Sequence, residues 1–426
     1  MTALLLFVSF AVFLFLSVPI GIAIGLATLV TIMVSGSLPL EFLAQGLVTS
    51  VDSFPLMAVP FFILAGEIMG KGGISDRLFR VANSIVGNKT GGFAIATILT
   101  CMFFAAISGS GPATVAAIGG IMIPAMVRQG YDKKFATALV AAAGSLGVII
   151  PPSIPMVIYG VSGSVSIGNL FIAGIIPGII IGIALMIYSY YYSKKQGYHG
   201  SGEKTSIKKI GAATWDAKWA LLVPIIILGG IYGGIFTPTE AAVIAVVYGL
   251  LAGLLLYREL KIKDLPKVFA DSALTTATIL IIVGAATAFG RLLTVEQIPN
   301  TVANAMLSIS ENPIVIILLI TVFLLIVGCF MDTLAAIIIL TPILLPIAVN
   351  LGYDPVHFGI LMIVNLAIGF ITPPLGVNLF VASGISGLSL EQLARAVVPF
   401  FLVMVFTLLF IIFVPQLSLF LVDLIG

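Results

Sequence analysis

Apolar residues fill this chain in long blocks, and polar or helix-breaking residues collect in a few short places between them. Blocks at 2–34, 54–70, 133–163, 169–192, 217–235, 240–256, 270–290, 356–383 and 395–424 predict membrane crossings, because a hydrocarbon core about 30 Å thick takes roughly 20 helical residues. Two further segments, 91–128 and 312–350, are apolar at both ends and polar in the middle. Each reads as a re-entrant helical hairpin that enters and leaves on one side, although two full crossings apiece would preserve the same parity. Ile74, Leu78, Val81 and Ile85 recur at helical spacing, as do Val295, Ile298, Val302 and Met306. These stretches predict two amphipathic helices lying along the interface.

Breaker residues repeat. Pro124, Gly130-Tyr131-Asp132, Pro151-Pro152 and Pro177 return as Pro346, Gly352-Tyr353-Asp354, Pro373-Pro374 and Pro399, each 222 positions later (346 − 124 = 222). Proline lacks a donor and glycine permits unusual backbone angles, so shared punctuation predicts two copies of one unit. The copies span 1–192, with hairpin 91–128 and broken helix 133–163, and 240–426, with hairpin 312–350 and broken helix 356–383. Between them, 193–239 holds a basic loop and one linking helix. That added helix turns the second copy over, which gives inverted repeats with a site expected near the membrane midplane where they meet.

Composition fixes the class. The chain is 60% hydrophobic and 8% charged, against about 25% charged in soluble domains, which predicts an all-α polytopic membrane protein. With the hairpins re-entrant, every Lys and Arg except Arg291 falls on one face, including Lys194, Lys195, Lys204, Lys208 and Lys209 of the central loop. The positive-inside rule makes that face cytoplasmic. A multi-pass protein of the bacterial inner membrane is expected, with a cytoplasmic N-terminus and a periplasmic C-terminus. No Lys or Arg precedes the first apolar run, so that run reads as a retained helix rather than a signal peptide.

Helix breaks at membrane depth survive only where protein or a polar cavity shields them. Four occur here: the hairpin tips 108–114 and 328–333, and the ProPro interruptions 147–153 and 369–375. Two adjacent prolines remove donors and free the preceding carbonyls, which suit a hard cation such as Na⁺. One Na⁺ is expected in each half, at Ser108, Ser110, Gly147, Ile150 and Ser153 in the first and at Gly328, Gly369, Thr372 and Leu375 in the second. Helices starting at these points aim positive dipole ends inward, as an anionic substrate requires. Asp332 could contact substrate or cap the outgoing helix. Arg291 could pair with a carboxylate or snorkel to the interface. Glu67 precedes Lys71 by four positions, and Thr237 to Glu240 reads as a capping box.

Enzyme chemistry finds no partners. A serine protease needs a general base near its nucleophile, but His199 and His357 lie in the basic loop and at a helix start, far in sequence from Ser108 and Ser110. Cys101 and Cys329 have no metal-ligand spacing, and no Walker A motif is present. The expectation is a non-enzyme without an organic cofactor.

The segments 106–114 (AISGSGPAT), 123–132 (IPAMVRQGYD), 146–153 (LGVIIPPS), 237–242 (TPTEAA) and 369–379 (GFITPPLGVNL) resemble, in order, the large membrane subunit (DctM/SiaM type) of tripartite ATP-independent periplasmic (TRAP) transporters. The likeness runs over essentially the whole chain. It implies a Na⁺-coupled importer of organic acids, of the sialic acid or C4-dicarboxylate kind, that works by an elevator movement. It further implies a small four-helix membrane subunit, a periplasmic substrate-binding protein, an organic carboxylate substrate and the lipid bilayer as partners, with no nucleic acid. Substrate contacts carry over less directly, and Arg291, Asp332, Ser153 and Asn378 are the positions expected to supply them. A stand-alone organic-anion carrier of the same superfamily is the alternative reading.

Overall fold

The computed structural model describes residues 2–36, 38–198, 200, 206–310 and 312–425. His199 and Lys204 therefore lie outside the described residues. Among those described, all regular structure is helical. Eight helices among the described residues are long and apolar enough to cross a membrane, or nine if one bent pair counts as a single span.

Helices α1 (Thr2–Phe15) and α2 (Ile20–Ser35) replace the single crossing expected over 2–34, and they pack against one another. Pro19 brings no donor to the ladder and Ser17 takes a left-handed φ of 61°, so the chain breaks inside a run that hydrophobicity alone reads as continuous. A short helix that the pattern did not predict, α3 (Glu41–Thr49), leads through a tight turn at Phe54–Met57 into α4 (Ala58–Lys71). The amphipathic segment forms α5 (Ile74–Val86), with Ile74, Leu78 and Val81 buried as their spacing requires, while Ile85 in the last turn is exposed. Helices α6 (Gly92–Ser108) and α7 (Gly111–Arg128) make the first hairpin pair, and α8 (Lys133–Gly144) and α9 (Ile154–Gly163) are the two pieces of the first interrupted helix. A 30-residue rod follows, α10 (Ile167–Gln196).

The end of the basic loop is helical: α11 (Ile207–Asp216) bends by 65° into the linking helix α12 (Lys218–Tyr232). The capping box then starts α13 (Pro238–Leu251), with Thr237 Oγ1 accepting from Glu240 N at 3.3 Å and the Glu240 carboxylate accepting from Thr237 N at 2.8 Å. Next come α14 (Leu265–Val295), α15 (Ile298–Ile309), α16 (Pro313–Phe330) and α17 (Thr333–Asn350). The second interrupted helix is α18 (Pro355–Gly369) and α19 (Val377–Ser386), followed by α20 (Leu390–Phe413) and α21 (Gln416–Ile425). Pro415 ends the crossing expected over 395–424.

The element order recurs at the spacing of the prolines. Adding 222 to the bounds of α7 gives 333–350, the bounds of α17, and adding 222 to the start of α8 gives 355, the start of α18. Asp132 caps α8 through Phe135 N at 2.9 Å, and Asp354 caps α18 through Val356 N at 2.7 Å.

Most helices fall into two packed groups, which also touch where α14 meets α17 and α4 meets α6. Helices α6 to α9 and α16 to α19 pack among themselves, and α10 and α20 lie against them and against each other. The second body is built from α1 to α4 with α12 to α14. Its contacts use small residues, which let helices approach closely where both neighbours and lipid are apolar: a Cβ on Gly46 would stand 3.0 Å from Ala288 Cβ. Lys71 of α4 meets Asp271 of α14 at 3.6 Å and Glu67 at 3.9 Å.

Candidate functional site

The first tip is built by a glycine and two hydroxyls. Gly109 adopts φ 61°, a region closed to most side chains, and so lets α6 stop and α7 start within two residues. Ser110 caps α7, accepting from Ala113 N at 3.4 Å. Ser108 Oγ lies 3.0 Å from Thr114 Oγ1, which donates to Ser110 O at 2.8 Å. Beside this tip, α8 ends at Gly144 and runs through a tight turn and the cis Pro151-Pro152 bond to Ser153. The Ser153 hydroxyl donates to Val148 O at 2.6 Å and accepts from Met156 N at 3.3 Å, which starts α9.

Tip and break are joined directly. Ile154 N donates to Gly109 O at 3.2 Å. A Cβ on Gly147 would stand 2.4 Å from Ser110 O and 2.6 Å from Thr114 Oγ1, so only glycine fits among these oxygens.

The second half repeats the junction with different side chains. Asp332 caps α17 through Leu334 N at 2.9 Å. Leu375 N donates to Cys329 O at 2.9 Å, and Thr372 Oγ1 donates to Ile368 O at 2.8 Å. A Cβ on Gly369 would fall 2.5 Å from Gly328 O.

Polar bonds also cross between the halves. Asn378, fully buried, donates through Nδ2 to Ala141 O at 3.0 Å and to Ser145 Oγ at 3.2 Å. Its backbone N donates to Phe370 O at 3.0 Å. Tyr159 of α9 donates to Pro355 O of α18 at 2.8 Å.

The residues singled out from the sequence thus fall in several different places. Ser108, Ser110 and Gly147 come together at the first junction, with Ser153 capping the helix that leaves it. Gly328 and Gly369 meet at the second, beside Thr372 and Leu375. Ile150 instead lies with its side chain against α10, where a Cβ on Gly178 would touch Ile150 Cγ1 at 2.5 Å. Asp332 acts as a helix cap and Asn378 as a buried staple. Arg291 is elsewhere: its guanidinium is 5.9 Å from the Phe42 ring, and it lines a cavity of about 330 Å³ shared by α9, α14 and α17. The sequence reading missed Thr114 and Ser145. Thr114 sits in the AISGSGPAT motif, one turn into α7, where its hydroxyl could have been paired with Ser108. Ser145 carries no local signal, because its partner is 233 residues away.

Membrane-length apolar helices, interrupted twice beside two capped tips, define a multi-pass helical membrane protein whose polar groups gather at helix breaks rather than at a catalytic pair. Its fold matches that of a solved protein described as "Crystal structure of the Alcanivorax borkumensis YdaH transporter reveals an unusual topology", with a TM-score of 0.60 at 16% identity over 89% of this chain and 90% of that one. A family model described as "Tripartite ATP-independent periplasmic transporter, DctM component" matches residues 7–417. The chain is 56% identical over 97% of its length to the "Isethionate TRAP transporter permease protein DctMQ" of Oleidesulfovibrio alaskensis, of which it spans 65%. It is 42% identical over 95% of its length to the "C4-dicarboxylate TRAP transporter large permease protein DctM" of Pseudomonas aeruginosa, covering 94% of that protein. With the "Sialic acid TRAP transporter large permease protein SiaM" of Vibrio cholerae it shares 39% identity over 96% of each chain. This chain belongs to the DctM family of TRAP transporter large permease subunits. It is a multi-pass inner-membrane permease component and not an enzyme, and membership in a tripartite system implies partner components.

Proposed function

We propose that this chain is the translocation subunit of a Na⁺-coupled importer of small organic acids, moving its cargo by an elevator displacement of one helical body against the other. The observation that carries the reading is the paired junction: in each half a hairpin tip is hydrogen-bonded to its own broken helix, and a glycine lets the two backbones approach closely beside a carbonyl oxygen. Na⁺ takes oxygen ligands, and the groups gathered at the junctions are hydroxyl and backbone oxygens. Ser108, Ser110, Gly147, Ile150 and Ser153 would hold one ion, and Gly328, Gly369, Thr372 and Leu375 a second. Bound Na⁺ would supply positive charge that favours an anionic cargo. Since Ile150 packs on α10, its contribution would be through its carbonyl.

The moving body in this reading comprises both hairpins and both interrupted helices. Helices α10 and α20 pack on that body, which favours their moving with it, while α1 to α4 and α12 to α14 form the fixed frame. The repeats would be inverted, with the extra helix α12 turning the second over. A periplasmic binding protein would deliver the acid, and a small membrane subunit would bind the frame. The relatives' names favour small organic anions as cargo, and isethionate, a sulfonate, widens the class beyond carboxylates.

The test is reconstitution in liposomes with the binding protein and the small subunit. Uptake of a labelled acid should follow an inward Na⁺ gradient and collapse when K⁺ replaces Na⁺. Equal uptake in K⁺ would refute coupling, and full accumulation by this chain alone would refute the tripartite arrangement.

A further inference from the structure

The cavity beside Arg291 is separate from both junctions. It is lined from one side by Ser50 and by Thr287, Arg291 and Thr294 of α14, and from the other by Ser162 of α9 and Pro342 of α17. Pro342 lies ten residues into α17 from Asp332, about 15 Å along the axis, and Ser162 lies nine residues into α9 from Ser153, about 14 Å. The cavity is therefore well beyond the points where these helices start. It falls on the seam between the two packed bodies, α14 belonging to one and α9 and α17 to the other.

Several of its polar groups have no partner among the described residues. Lys71, Arg77, Arg80 and Arg395 form ion pairs, whereas Arg291 has no carboxylate partner among the described residues. Ser50 Oγ is buried without a hydrogen-bond partner. By contrast, Thr287 and Thr294 are satisfied within α14, donating to Val283 O at 2.9 Å and Gly290 O at 3.0 Å. A buried hydroxyl without a partner is costly, and the exposed Arg291 guanidinium at the cavity wall can meet an entering anion with charge-assisted hydrogen bonds. The Phe42 ring stands 5.9 Å from the guanidinium. The volume suits a small organic molecule, at the low end of ordinary ligand sites of about 300–1,000 Å³.

We propose that this cavity is an outer binding site for the carboxylate or sulfonate group of the transported acid, held by Arg291 through paired N–H donors and by the Ser50 hydroxyl. It rests on the reading of the chain as an organic-acid permease. Its position on the seam makes it a waypoint: an acid bound there touches both bodies and lies off the ion-binding junctions. Arg291 would set acid affinity, and the junctions would set Na⁺ affinity.

The experiment uses the complete transporter in proteoliposomes, with labelled isethionate and succinate as probes and an inward Na⁺ gradient. Arg291→Ala should raise the KM for the transported probe about 10- to 100-fold, as expected for a lost charge-assisted bond. Arg291→Lys, which keeps charge but not the fork, should fall between. Ser50→Ala should raise KM about threefold, and it supplies an independent test if Arg291→Ala does not assemble. Half-saturation by Na⁺ should shift less than about twofold in every variant. A KM left at the wild-type value in Arg291→Ala or Ser50→Ala overturns the site, as does a fall in maximal rate alone or an equal rise in the Na⁺ requirement. Wild-type protein that transports neither probe would remove both these acids as cargo and this site's proposed occupants; transport with an unaltered KM in the variants overturns the site only.

Discussion

At the scale of single residues, the decisive positions are those where an added methyl group has nowhere to go. A Cβ on Gly147 or Gly369 would come within 2.4 Å or 2.5 Å of a backbone oxygen, well inside contact distance. Either Gly→Ala change forces tip and break apart, and overpacking of this kind costs typically about 1–3 kcal/mol. Gly147→Ala and Gly369→Ala should therefore abolish Na⁺-driven uptake, measured against Gly120→Ala, whose Cβ would meet nothing within 4 Å. Normal uptake by both junction variants would remove the paired-junction proposal. The ProPro pairs marked where the backbone breaks, and Gly147 and Gly369 were legible as part of those breaks. Their reason was not, since closeness to Ser110 O or Gly328 O depends on a second segment arriving from elsewhere in the chain.

At the scale of elements, local rules predicted much of what is observed. Amphipathic spacing placed α5, and the polar tips at 108–114 and 328–333 marked where α7 and α17 start, with Ser110 and Asp332 as their caps. The failures are equally physical. Hydrophobic periodicity cannot see the break at Ser17–Pro19, and it could not assign α3, which is short and exposed on most of its surface. The side-chain link from α19 to α8 belongs at this scale too. Asn378 joins the second break to the first interrupted helix, and its loss leaves Ala141 O and Ser145 Oγ without that donor inside the protein. Asn378→Ala should lower stability in detergent by about 1–3 kcal/mol, read as a reduced melting temperature. Asn300→Ala, whose side chain is exposed and bonds only to Gln297, serves as the control and should melt like wild type. Equal melting of the two variants would show that the staple is dispensable.

At the scale of the whole molecule, the proposed displacement can be tested by fastening one body to the other. A Cβ on Gly290 of α14 would lie 3.9 Å from Pro342 Cβ of α17, close to the mean Cβ separation of about 3.8 Å in disulfides. The double variant Gly290→Cys, Pro342→Cys should form a disulfide on oxidation, stop uptake, and recover when reduced; undiminished uptake by the oxidised form would mean that α14 and α17 do not slide. The sequence by itself determined the class, the breaks and the repeat. Hydropathy, proline chemistry and helix capping act over a turn or two of chain, and they write themselves in neighbouring residues. Only the tertiary structure decided that Ser110 faces Gly147, that Asn378 reaches Ala141, and that Arg291 lines a cavity of its own while Asp332 caps a helix elsewhere. Those facts depend on which helices pack together, and in a chain where nearly every helical face is apolar, the choice of packing partner is made by steric fit and by a few buried polar bonds rather than by any pattern along one segment.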